Sequence, residues 1–166
     1  MPNWCDNHLT IEGRDLIPFI QWLGNSPISL ERVLPIPEDI ECSPEEWCTD
    51  NWGTKWDVEE ARTQPPILVT PTKIESDFET AWGPPIKALE ALSGKFPDLK
   101  ITLYFMETSS GFAGHSVFRS GGECMEEMLS FSEYSAPEDY KSLARICRTE
   151  LKKLQVRREN RAKLVI

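Results

Sequence analysis

Apolar and polar positions alternate from residue 4 to residue 12: Cys5, Asn7, Leu9 and Ile11 fall on one side, and Asp6, His8, Thr10 and Glu12 on the other. A period of two predicts a half-buried strand, which Gly13 ends. The period then lengthens. Leu16, Ile17, Phe19, Ile20 and Leu23 recur at helical steps, so a helix is predicted. Asp15 can cap it, Pro18 sits near the first turn where a missing N–H does least harm, and Gly24-Asn25 closes it. Residues 25–54 break the rhythm, with short apolar pieces (Ile28, Leu30, Val33-Leu34, Ile36) among acids and prolines. A loop this long in a domain is functional or hides short elements. Ser43-Pro44-Glu45-Glu46 predicts one such element, a helix running through Trp47 to about Asn51.

Alternation returns over 55–62 and 72–80, predicting two strands joined by a wide loop around Pro65-Pro66, with Trp56 facing away from Lys55 and Asp57. Pro84-Pro85 opens a second helix carrying Ile86, Leu89 and Leu92. Leu99 to Met106 is an apolar strand, and Phe112 to Arg119 is another, reached across Ser109-Ser110-Gly111. A terminal helix is predicted over 137–163, with Glu138 and Asp139 in its first turn and an apolar stripe of Tyr140, Leu143, Cys147, Leu151 and Leu154. Without the insert and the extra strand, the order is β-α-β-β-α-β, the ferredoxin-like split βαβ arrangement. The predicted fold is therefore α+β: an antiparallel sheet with helices on one face, a long insert after the first helix and a C-terminal helix. A ferredoxin-like domain is expected over 1–120 with its insert at 25–54, followed by a mainly helical extension over 121–166. Trp56 and Trp82 are expected at or near the core.

Charge divides the chain. Residues 1–136 carry 9 Lys and Arg against 23 Asp and Glu, a net −14, whereas residues 137–166 carry 9 against 4, a net +5. The acidic body argues against nucleic acid as its partner; the basic terminal segment leaves nucleic acid or an acidic partner open for that end, and a dimer is open too. No run approaches the roughly 20 apolar residues that cross a bilayer. Met1-Pro2-Asn3-Trp4-Cys5-Asp6 lacks the basic and apolar regions of a secretory signal, so the expected place is the cytoplasm of a bacterial host.

Catalytic chemistry is not legible. Cys5, Cys42, Cys48, Cys124 and Cys147 include no Cys-x-x-Cys pair, and neither His8 nor His115 has a ligand at metal spacing. No metal and no cofactor are therefore expected, and reduced thiols are. Gly111-Phe112-Ala113-Gly114 lacks the ending of a phosphate loop, and Ser109 and Ser110 lack a nucleophile-elbow context. No catalytic residue is assigned, and a non-enzyme is expected.

Four segments stand out: Met1 to Asn7; Asn51-Trp52-Gly53-Thr54-Lys55-Trp56-Asp57; Thr80-Ala81-Trp82-Gly83-Pro84-Pro85; and Tyr104 to Gly114 with Glu107, Gly111 and Phe112. As a set they resemble the YubB family of ferredoxin-like proteins borne by phages, prophages and plasmids, over residues 1 to about 120. Gly83 and Ser110 depart from the family pattern. The resemblance implies a mobile-element accessory protein and carries over no catalytic residue. Trp4, Trp52, Lys55, Trp56, Asp57, Trp82 and Glu107 are the binding candidates: Trp rings can stack on a planar ligand, and Lys55 can meet an anion. The competing reading of these rings is that they seal the ends of the sheet. Three functions follow. The leading one is a non-enzymatic module that binds and modulates a host protein, as an acidic nucleic-acid mimic or anti-defence factor. The others are a small enzyme or nucleotide-binding protein with a Trp-lined pocket, and an RNA-binding sheet.

Overall fold

A computed structural model describes residues 2–24, 28–58, 68–130 (backbone alone at 123–127 and 129–130), 141–143 and 145. Strand β1, Trp4–Glu12, is followed by helix α1, Ile17–Leu23, and then by two insert helices, α2 at Leu30–Val33 and α3 at Pro44–Trp52. Strand β2, Leu68–Val69, and strand β3, Lys73–Ala81, lead into helix α4, Ile86–Lys95. Strands β4, Lys100–Glu107, β5, Phe112–Arg119, and β6, Gly122–Ser130, complete the sheet.

The six strands lie in the order β2-β3-β1-β4-β5-β6. The first four reproduce the split βαβ arrangement: β3 inserts between β2 and β1, and β1 inserts between β3 and β4, every pair antiparallel. The predicted ferredoxin-like α+β fold is the one observed. Register determines the faces. Leu9 lies opposite Leu103, and Ile11 opposite both Ile74 and Ile101, so β1, β3 and β4 turn a common apolar surface toward the helices. There Phe19 of α1 and Leu89 and Leu92 of α4 join Cys5, Leu9, Phe78, Phe105 and Phe118 in one core. Asn7 sits on this apolar face with its amide nitrogen satisfied, donating to Cys5 O and to Thr80 Oγ1, both at 2.8 Å.

The insert adds a second, smaller core of Leu30, Cys48, Trp52 and Ala88, which seats α2 and α3 against α4. The Ser43 side chain accepts from Glu46 N at the start of α3, as the sequence predicts. At its other end Gly53 takes φ 90°, and a Cβ there would come within 2.8 Å of Pro84 O, so the close approach of α3 to the start of α4 requires glycine.

Two expectations are corrected. No strand forms over 55–58, the described part of the strand predicted at 55–62; the partner of β3 is Leu68–Val69 instead. The alternation of Lys55-Trp56-Asp57-Val58 has another cause, because Asp57 is committed to α2. Its carboxylate accepts from Ser29 Oγ at 2.7 Å, Leu30 N at 2.6 Å and Glu31 N at 3.3 Å, capping three donors at one helix start. Beyond residue 120 the sheet continues with β6, paired to β5 across a two-residue turn. The terminal helix predicted over 137–163 lies largely outside the described residues. Within them, Lys141 to Leu143 is helical and Leu143 is 1% exposed. Residues 59–67, which include the predicted Pro65-Pro66 loop, and the side chains of Cys124 and Cys147 also lie outside.

Trp52 holds the insert. It is 2% exposed, its indole N–H donates to Leu34 O at 2.8 Å, and Trp47 meets it edge to face at 5.8 Å. Replacing Trp52 with Ala should lower stability by about 3–5 kcal/mol in denaturant unfolding, the range for a buried aromatic. A loss below about 1 kcal/mol would show that the insert core contributes little.

Candidate functional site

At the end of the sheet where β1 starts and β3 stops, three of the sequence candidates meet around a lysine. Lys55 Nζ lies 4.9 Å from the Trp56 ring centroid and 4.6 Å from that of Trp82, a cation in contact with two indole rings. Trp4 packs on Trp56 at 6.3 Å. Hydrogen bonds to backbone carbonyls set this arrangement: Thr54 Oγ1 donates to Ala81 O at 2.7 Å, Lys55 N donates to the same oxygen at 3.4 Å, and Trp82 N donates to Asn3 O at 2.8 Å. Lys55 and Trp56 are therefore in contact and not on opposite sides of a strand.

Trp82 contradicts the expected core position. It is 51% exposed and has φ 71°. A bulky residue in the left-handed region is strained, by roughly 1–2 kcal/mol, and here the strain turns an indole outward at the rim of the sheet. Trp56 is half-buried.

The remaining candidates are structural. Trp52 belongs to the insert core and Asp57 caps α2. Glu107 is buried, and its carboxylate accepts from Ser109 N and Ser110 N, each at 2.6 Å, to form the β4–β5 turn. Burial pushes the Glu107 carboxyl up, but the bonds from Ser110 and Ser109 outweigh it and hold the group below its ordinary value. Cys5, buried beneath this end, has its thiol pushed far up, first by burial and then by the Asp6 charge, so it is inert as a nucleophile.

On the face of the sheet away from α1 and α4, register assembles a row invisible in the linear sequence. His8 lies opposite both Asp77 and Tyr104, and Tyr104 opposite His115. His8 Nδ1 and Asp77 Oδ1 are 2.6 Å apart, while Tyr104 and His115 stack at 5.5 Å with rings 18° from parallel. His8 is 5% exposed and His115 3%, so this face is shielded at its centre. At its edge Asp6 is raised above its usual value, first by burial and then by the Glu79 and Asp77 charges. Among the described residues no group of three or more His, Cys, Asp or Glu side chains is arranged to hold a metal ion, and no helix is long and apolar enough to cross a membrane.

These features define the class: an α+β ferredoxin-like domain whose sheet ends in an aromatic rim. The particular family follows from comparison. The family model described as the ferredoxin-like domain in Api92-like protein matches residues 51–144, more than half of the chain, and the chain belongs to that family. The crystal structure of protein api92 from Yersinia pseudotuberculosis is similar over 78% of this chain and 99% of its own, with a TM-score of 0.56 and 11% identity, a likeness of fold. No curated protein matches the chain.

Two outcomes check this geometry. The strain at Trp82 and its cation–π contact, about 0.5–1 kcal/mol at an exposed site, nearly offset, so Trp82→Gly should melt within a few degrees of the wild type. A loss of about 3 kcal/mol or more would place the ring in the core after all. Burial lowers the pKa of His115 from its ordinary 6.5. Above 6.5 the folded and unfolded chains both hold it neutral; below 6.5 the unfolded chain takes up a proton that the folded chain resists, so stability falls with falling pH. His115→Gln should flatten the decline in melting temperature between pH 7 and pH 5, and an unchanged slope would contradict the assignment.

Proposed function

We propose that the chain is a non-enzymatic interaction module that binds a basic surface of a host protein through the rim formed by Trp4, Lys55, Trp56 and Trp82. The observation that carries this reading is Trp82 itself: a strained backbone that exposes half of an indole does nothing for folding, whereas exposed Trp is the side chain most used as an anchor in protein interfaces. Charge supplies the partner's sign. Glu38, Asp39, Glu41, Glu45, Glu46 and Asp50 are all exposed on the insert that delivers Lys55 and Trp56 to the rim. Exposed carboxylates on the segment that leads into an aromatic anchor are complementary to a basic groove, as on a protein that binds nucleic acid.

The other two readings have less support. Lys55 Nζ already contacts both the Trp56 and Trp82 rings, so a planar ligand stacking there competes with it. The sheet face that would stack RNA bases is buried at His8, Thr102, Ala113 and His115. Kinship with the YubB family, an accessory role on a phage or plasmid, and a bacterial cytoplasmic location belong to the same proposal. The four sequence motifs and the acidic composition support them.

The test uses purified wild-type protein and Trp82→Gly as baits in bacterial lysate, with captured proteins identified by mass spectrometry and their affinities then measured with purified components. One stoichiometric basic partner is expected, bound at least about tenfold more weakly by the variant and more weakly as salt rises. Equal affinity of a normally folded Trp82→Gly, or binding indifferent to salt, would refute the proposal.

A further inference from the structure

At the opposite end of the sheet from the Trp rim, eight residues along β1 or about 26 Å at roughly 3.3 Å per residue, lies a cleft of about 600 Å³. Its walls are the segment after β1, the start of β3, the α4–β4 connection and the end of β5. They bring together Arg14, Lys73, Lys100 and Arg119, against only Glu12 and Asp98. In a chain with 27 acidic and 18 basic side chains, such an excess of cations around one cleft runs against composition.

The four cations are not equivalent. Lys100 Nζ pairs with Glu12 at 3.2 Å, and Lys73 pairs with Glu75. The first pair follows from strand register, which sets Glu12 opposite Lys100; the second joins two residues on the same face of β3. Arg14 and Arg119 are exposed and make no hydrogen bond or ion pair with any other described residue. The walls are braced. Ser120 stands at φ 53° in the β5–β6 turn, its hydroxyl donates to Pro97 O at 3.3 Å, and the adjoining Gly121 N donates to Ser93 Oγ at 3.0 Å. A serine held in the left-handed region, where glycine or asparagine is usual, ties the hairpin that carries Arg119 to the far wall. Leu99 closes the floor beneath Gly13, where an added Cβ would stand 2.5 Å from Leu99 Cδ2.

We propose that this cleft binds a small ligand through a diphosphate group, with the Arg14 and Arg119 guanidiniums as its two principal contacts. A guanidinium presents a planar fork of donors matched to phosphate oxygens, and two unpaired forks facing one cleft suit two adjacent phosphates. The volume is that of a small-molecule site. No aromatic ring is among its described lining residues, so recognition rests on the phosphates and not on stacking of a base. The cleft is separate from the Trp rim and does not depend on the proposed host partner.

Calorimetric titration of the full chain at physiological ionic strength tests it, with inorganic pyrophosphate, ADP and a short single-stranded oligonucleotide as probes. Pyrophosphate should bind saturably. The double variant Arg14→Gln/Arg119→Gln should lose at least about tenfold in affinity at an unchanged melting temperature without ligand, because both side chains are exposed. Equal affinity for pyrophosphate and ADP would identify free diphosphate as sufficient, and tighter ADP binding would identify a nucleotide as the source; both support the site. Absence of saturable pyrophosphate binding, binding unchanged in the double variant, or binding of the oligonucleotide alone would overturn it.

Discussion

Strand β1 is the constraint on which the rest depends. It is paired along its length by β3 on one side and over seven residues by β4 on the other, and because side chains alternate, a slip of one residue would turn its whole apolar set to the wrong face. One register then decides three things together. It seats Cys5, Leu9 and Ile11 under the helices, places His8 beside Asp77 and Tyr104 on the other face, and sets Trp4 opposite Ala81 at the rim. The two ends of the sheet inherit different chemistry from the same pairing: indoles around a lysine where β1 begins, and unpaired guanidiniums where it ends.

The sequence motifs that suggest a site are mostly a joint. Gly53 lies against Pro84, Thr54 and Lys55 bond to Ala81, and Lys87 Nζ donates to Asp50 O, so the end of α3 is fastened to the end of β3 and the start of α4. Asp57 and Glu107 serve backbone donors, and Trp52 is core. What remains after these structural duties is a small remainder: an outward-turned Trp82, the Lys55 ammonium against it and the exposed acids of the insert that leads into Lys55. That remainder is what an interaction module needs, an anchor with a charged surround on a rigid base.

The regular elements were legible because each carries a clean period. The alternation of Cys5 to Ile11, the helical spacing of Ile86, Leu89 and Leu92, and the Ser43-Pro44 start of α3 each answer to one local cause. Lys55 to Val58 misled because four residues of alternation cannot separate a strand from a capping loop with a packed Trp. The two residues of β2 are too short to show any period. Trp82 was placed near the core on its size alone, while its position is set by a backbone angle that no pattern encodes. The His8–Asp77 pair, the Tyr104–His115 stack and the meeting of Arg14 with Arg119 arise from register between strands distant in sequence, and a single chain read linearly carries no signal for them.

If β1 is the element that orders everything else, its amides should open only when the whole domain does. Native-state hydrogen exchange read residue by residue tests this most directly. The account predicts that amides from Asn7 to Ile11 engaged in the sheet exchange with the free energy of global unfolding, while those of the four-residue helix α2 exchange by local opening at lower cost. Exchange within Asn7 to Ile11 at a free energy well below global unfolding, with β4 and β5 still protected, would contradict it.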